Sequence, residues 1–205
     1  MGDKNNLVDY WKTSGLIKDN RLLSAFMEID RKNFVLAEDK NNAYEDIALN
    51  IGYNSTISQP STIIIMLQAL ELKSGEKVLE IGAGSGYTSA LMSKIIGNEG
   101  KIYSLDIVPE LIKFADENLK KENIKNVKLF CRDGSMGLKD YAPYDKILIN
   151  AACTKIPRIL FDQLKINGIL VAPIGEYSQK MIKFTKEINK VKEEYLGDFI
   201  FVKLR

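Results

Sequence analysis

The residues best suited to chemistry are gathered in one stretch, Val78-Leu79-Glu80-Ile81-Gly82-Ala83-Gly84-Ser85-Gly86. Glycines at alternate positions let the backbone turn tightly and let a ligand come close to it. The spacing is Gly-x-Gly-x-Gly, not the Gly-x-Gly-x-x-Gly of dinucleotide folds. Glu80 precedes the first glycine, where an acidic side chain can organise the loop around the cationic methionine moiety of S-adenosylmethionine. Asp106 closes the next apolar run. A carboxylate there can accept two hydrogen bonds from ribose hydroxyls, and ahead of Pro109 it also reads as a helix cap. Asp133-Gly134 closes the run after that, either as a plain turn or where an adenine amino group meets a carboxylate.

A missing residue type narrows the chemistry further. The chain has 0 histidines. That excludes a Ser-His-Asp triad, a Cys-His dyad, a His-ligated zinc and an imidazole base. Catalysis must come from carboxylates, hydroxyls, amides, lysines or a cofactor. Cys131 and Cys153 are too few for a disulfide framework and not spaced as a metal pair. Each reads as a small buried residue suited to a reducing cytoplasm, and no metal is expected.

These residues need elements to hold them. From Lys77 onward, short apolar runs alternate with helical patterns. Strands are predicted at Lys77–Ile81, Lys101–Val108, Val127–Cys131, Tyr144–Asn150 and Gly168–Pro173. Helices are predicted at Tyr87–Ile96, from Pro109, and from Pro157 to about Lys165. Such alternation implies right-handed crossovers and a mainly parallel sheet. The glycine loop, Asp106 and Asp133-Gly134 then all fall at the C-terminal edge of the sheet, where open α/β folds bind ligands. After Gly175 the runs MIKFTKEI and FIFVKL have no helix between them, which predicts an antiparallel pair. The expected fold is a Rossmann-like class I S-adenosylmethionine-dependent methyltransferase. It has a mainly parallel sheet, a C-terminal antiparallel hairpin and extra N-terminal helices.

Upstream, Leu22, Leu23, Phe26 and Ile29 predict a helix over 19–29. Asn54-Ser55 marks a loop, and Pro60 opens a buried helix. Ser58, just ahead of Pro60, reads on its own as a helix cap. Residues 1–72 are expected to form a helical extension and residues 73–205 the cofactor-binding core of one methyltransferase domain.

Lys and Arg number 29 against 27 Asp and Glu, a net charge of +2. Such a balance offers no broad field for a polyanion, so no nucleic-acid partner is expected. Hydrophobic residues at 45% and charged residues at 27% describe an ordinary soluble protein. No apolar run approaches the ~20 residues that span a bilayer, and MGDKNNLVDYWK lacks a signal-peptide core. A cytoplasmic protein without a membrane partner is expected.

From about Ala25 to Leu204 the chain resembles the protein-L-isoaspartate O-methyltransferases. VLEIGAGSGY looks like that family's cofactor loop. Asp30-Arg31 with Phe34-Val35, Ala43-Tyr44-Glu45-Asp46 and Thr56-Ile57-Ser58-Gln59-Pro60 resemble its more specific segments. Asp133-Gly134, Ala142-Pro143-Tyr144-Asp145, Ile156-Pro157, Gln163-Leu164-Lys165 and Gly175 with Gln179 follow in the family's order. The resemblance implies methylation of the free carboxylate of L-isoaspartyl residues in damaged proteins and peptides, with S-adenosyl-L-methionine as donor. It implies Ser58 as the active-site serine and Thr56, Ile57 and Ser58 as substrate-binding. It further implies Glu80, Gly82, Ala83, Gly84, Ser85, Gly86, Asp106, Asp133, Gly134 and Gln179 around the cofactor. Asp106 stands where the family more often has Glu, Asn150 where it has Thr or Ser, and Tyr53 where many members have His.

Two rival readings share the fold. An RNA N-methyltransferase would place an Asn/Asp-Pro-Pro-aromatic motif after the fourth strand, where this chain reads Asn150-Ala151-Ala152-Cys153. An inactive cofactor-binding module is opposed by the intact loop and the Ser58 segment.

Overall fold

The computed structural model describes residues 3–204. Its N-terminal part contains helices α1 (Lys4–Thr13) and α2 (Asn20–Glu28), a hairpin of β1 (Leu49–Gly52) and β2 (Ser55–Ile57), and helix α3 (Pro60–Leu70). Asp3 and Asp19 start the first two helices by accepting the backbone N–H two residues on. Pro60 opens α3, where a missing N–H costs nothing. The hairpin is a departure from the sequence expectation of irregular structure and a loop. Its turn holds Tyr53 and Asn54 at φ 54° and 53°, a left-handed geometry that composition does not announce.

The remainder follows the predicted alternation. The strands are β3 (Lys77–Ile81), β4 (Lys101–Asp106), β5 (Val127–Cys131), β6 (Tyr144–Ile149), β7 (Leu164–Ile174), β8 (Gln179–Lys186) and β9 (Val191–Phe199). Helices α4 (Tyr87–Ile96), α5 (Pro109–Lys121) and α6 (Arg158–Gln163) lie between them. The sheet order is β5-β4-β3-β6-β7-β8-β9. The first five strands are parallel, and β8 and β9 join antiparallel. Alternation along the strands sends side chains to opposite faces. Val78, Leu148 and Val171 face the cluster built with α2, α3, α4 and α5. Leu79, Ile147 and Leu170 face a second cluster with Leu160 of α6. The N-terminal helices share the first cluster with the sheet.

Several boundaries differ from expectation: β4 stops at Asp106 rather than Val108, and β7 starts at Leu164 rather than Gly168. The predicted helix to Lys165 ends at Gln163, because Leu164 already pairs with Tyr144 at the start of β7. The run FIFVKL is a strand only through Phe199. Beyond it the chain turns back across the sheet's edge. The Ala152 N–H donates to the Val202 carbonyl at 2.8 Å, and the Leu204 N–H to the Ala152 carbonyl at 2.8 Å. Cys153 is buried as expected, but Cys131 is exposed, because it closes the outermost strand β5. Among the described residues no helix is long and apolar enough to cross a membrane.

Candidate active site

The chain runs outward from β3 to β4 and β5 on one side and to β6 and β7 on the other. The point of reversal lies between β3 and β6, and a crevice opens there at the carboxyl ends. The glycine loop forms its floor. Gly82 and Ala83 donate to the Leu105 carbonyl at 2.8 and 2.9 Å, which folds the loop over the end of β4. Gly82, at φ 92°, lies so close to β6 that an added Cβ would stand 3.3 Å from Asn150 Cβ. Gly86, at φ 85°, starts α4 against Ala115 and Leu119 of α5, so its role is helix packing rather than lining the cleft. Gly134 lies against Ile81, which an added Cβ would meet at 2.3 Å.

Asp106 faces the crevice at the end of β4. One of its oxygens accepts the Gly84 N–H at 2.9 Å and the other the Val108 N–H at 3.1 Å. The carboxylate therefore ties the glycine loop to the entry of α5 and keeps lone pairs for two further donors. Asp133 is exposed outside the lining, where it accepts from the Ser135 N–H at 2.8 Å.

Glu80 does not face the cleft. It is wholly buried under the loop, because it lies within β3, one residue before the strand's end, with helix α4 and strand β4 against it. Its Oε2 accepts from the hydroxyls of Ser89 and Ser104, the latter at 2.6 Å, and its Oε1 from Asn150 Nδ2 at 2.9 Å. Burial raises its pKa to about 7, against the pull of these three donors, and the nearby Asp106 adds to the rise. Glu80 thus supports the site from below. Asn150 Nδ2 also donates to the Gly82 carbonyl at 3.0 Å, which turns both amide hydrogens inward.

Two hollows meet above this floor. One runs along the glycine loop, Asp106 to Val108, Gly134 and the returning Val202–Leu204. The other lies under Phe199, Ile200 and Phe201 beside Gln59 and Thr62. Thr56, Ser58, Asn150 and Val202 line both and form the partition. Ile57 lines the first. Ser58 is not a helix cap: α3 has Gln59 at that position, with no side-chain cap bond. Gln179 lines neither hollow. It is buried at the start of β8, and its Oε1 accepts the Phe201 N–H at 2.7 Å, which holds the returning segment in place. Among the described residues no group of three His, Cys, Asp or Glu is placed to hold a metal ion.

Sequence reasoning assigned no site role to Asn150, Arg132 or Leu204, all in the lining. Asn150 could have been found from its place just after the strand next to β3. Arg132 and Leu204 carry no such signal.

The residues fit S-adenosylmethionine. The loop has no side chain at Gly82 and Gly84, Asp106 has spare acceptor capacity, and Ser85 and Asn150 leave polar groups beside an apolar wall of Ile107 and Val108. A parallel sheet ended by an antiparallel hairpin, with this loop after its first strand, defines the class I S-adenosylmethionine-dependent methyltransferases. Within that class the chain belongs to the protein-L-isoaspartate(D-aspartate) O-methyltransferase family, whose sequence profile matches residues 2–205. It is 44% identical over 189 residues to a protein-L-isoaspartate O-methyltransferase of Methanosarcina mazei, covering 92% of this chain and 78% of that one. A relative of the same name from Fervidobacterium nodosum is 42% identical, covering 90% and 94%. A solved protein-L-isoaspartate O-methyltransferase superposes with a TM-score of 0.88 at 29% identity, covering 98% of this chain and 65% of that longer one. A Plasmodium falciparum structure described as a protein-L-isoaspartate O-methyltransferase in complex with S-adenosyl-L-homocysteine gives 0.87 at 26% identity, covering 100% and 99%.

Proposed function

We propose that the protein methylates the free carboxylate of L-isoaspartyl residues in damaged proteins and peptides, using S-adenosyl-L-methionine, and so initiates their repair. One observation carries this reading: Thr56 and Ser58 stand in the partition between a glycine-floored hollow and a second hollow under Phe199, Ile200 and Phe201. When bound, the cofactor supplies an electrophilic methyl group. Gly82, Ala83, Gly84 and Ser85 would hold its amino-acid part, Asp106 its ribose and Gly134 the space for its base. Ser58 would orient the acceptor carboxylate by donating a hydrogen bond, with the Thr56–Ser58 backbone and Val202 reading the path of the peptide.

A carboxylate with an ordinary pKa of ~4 is already ionised at neutral pH, so no base is required and the absence of histidine is no handicap. What remains for the protein is alignment and the exclusion of water. The two free cysteines suit a reducing cytoplasm as the working compartment.

The test is methyl incorporation into an isoaspartyl peptide, its aspartyl isomer and bulk tRNA. The isomers carry equal charge and differ by one methylene in the backbone, so only geometry can separate them. A displacement of ~1 Å can cost about a hundredfold in rate. Labelling confined to the isoaspartyl peptide is expected. Comparable labelling of both peptides would overturn the substrate assignment, and labelling of tRNA would favour an RNA N-methyltransferase.

A further inference from the structure

Arg31 is a buried cation that the chemistry above does not use. It is 0% exposed, and among the described residues it forms no salt bridge with a carboxylate. Asp30, its neighbour in sequence, and Asp46, whose charge favours the cation from a distance, are hydrogen-bonded elsewhere. Asp30 accepts from Tyr44 Oη at 2.8 Å, and Asp46 accepts from the Ser61 N–H and hydroxyl at 2.8 and 2.6 Å. Arg31 Nε instead donates to the Ala43 carbonyl at 2.8 Å, and a terminal nitrogen, Nη2, to the Ser58 carbonyl at 2.8 Å. The guanidinium lies 5.0 Å from the centroid of the Tyr87 ring, and Tyr87 lines the glycine-floored hollow. Nη1 and the Tyr87 hydroxyl meet no other partner: they interact with one another, outside ordinary hydrogen-bond geometry.

Burying a cation without a counter-ion in direct contact is expensive, and a poorly paired donor adds to the cost. Burial pulls the guanidinium's pKa down to about 10, which still leaves it charged at neutral pH. A structural tie between two loops needs no fixed charge, since a neutral side chain can bridge two carbonyls. Arginine differs in offering a planar fork that spans two acceptors in one rigid geometry while stacking on a ring. Here the fork joins the segment after α2 to the Ser58 carbonyl in the partition, with Tyr87 of the cofactor side stacked on it.

We propose that Arg31 is a positioning residue for the acceptor side. By gripping the Ser58 carbonyl while braced on Ala43 and Tyr87, it sets the direction in which the Ser58 hydroxyl meets the substrate carboxylate. This rests on the reading of Ser58 given above.

The experiment compares the parent, Arg31→Lys, Ser58→Ala and the double variant. It measures kcat and KM for an isoaspartyl peptide and cofactor affinity by calorimetry. Lysine keeps a charge but lacks the second nitrogen needed to span Ala43 and Ser58. The expected result is a fall of about tenfold or more in kcat/KM for Arg31→Lys, with cofactor affinity changed less than about threefold. In the Ser58→Ala background the same change should cost little, because residues acting through one another are not additive. Arg31→Met, which also removes the charge, should lose more; if it does not fold, the lysine variant carries the comparison. Parent-like activity in Arg31→Lys overturns the inference. So does an equal loss in both backgrounds, which marks a merely structural role, or a parallel loss of cofactor affinity. A parent inactive on isoaspartyl peptide would overturn the functional reading and this inference together, whereas an active parent with an unaffected lysine variant overturns this one alone.

Discussion

Ser58 and Asp106 divide the labour of the site between acceptor and cofactor, and two substitutions separate them. Asp106→Ala removes a charged acceptor, whose hydrogen bonds are worth about 1.5–3 kcal/mol each, and frees the Gly84 N–H it restrains. Calorimetry should show cofactor affinity weakened by at least tenfold. Ser58→Ala should lower turnover with cofactor affinity little changed. Because Gln59 rather than Ser58 sits at the start of α3, thermal stability should stay within about 0.5 kcal/mol of the parent. Glu80 acts from beneath through its proton. Its pKa is raised from an ordinary 4.5 to about 7, so between those values the native state holds a proton that the unfolded chain has released. Its contribution to stability should therefore be fully present below pH ~4.5, fall as pH rises toward 7 by up to about 3 kcal/mol, and level off above. Denaturant titrations of the parent and Glu80→Gln across that window should show the slope in the parent and its loss in the variant. An equal slope in both would assign it to other groups.

At the scale of elements, the glycine loop serves two neighbours. Gly82 brings β3 against Asn150, just after β6, and Gly86 brings α4 against α5. Gly86 sits at φ 85°, and an added Cβ would meet Ala115 Cβ at 3.2 Å and Leu119 Cγ at 3.3 Å. Strain and overpacking together predict that Gly86→Ala costs about 2–4 kcal/mol, read as a lower urea midpoint. Cofactor affinity should suffer less than in Asp106→Ala, since Gly86 is outside the cleft lining. The returning segment after β9 is an element in its own right. The Gln179 side chain holds Phe201, and the Ala152 backbone holds Val202 and Leu204, so residues 201–204 close the cleft without being a strand.

At the scale of the whole molecule, the N-terminal helices are fastened to the core by Trp11. It is 0% exposed, its ring meets Phe26 edge-on, and its Nε1–H donates to Ser61 Oγ at 2.6 Å, which in turn donates to Asp46. Trp11→Phe should cost about 1–2 kcal/mol through the lost bond, and Trp11→Ala about 3–5 kcal/mol through the cavity. Both are checked by a shift in denaturation midpoint with an unchanged slope. Trp11 lies outside the cleft lining, so the phenylalanine variant should keep its cofactor affinity. By itself the sequence determined the alternation of strands and helices, the glycine loop and the carboxylate closing β4. Each of these is a local pattern, set by side-chain period, by glycine's backbone freedom or by a proline at a helix start. The hairpin that carries Thr56, the burial of Glu80, the meeting of Ser58 with Asn150 and Val202, and the reach of Arg31 to Ser58 were decided by the tertiary structure. They depend on which strand lies beside β3 and on where the chain returns after β9. Contacts between residues dozens of positions apart leave no periodic trace in the sequence, and they exist only once the sheet order is set.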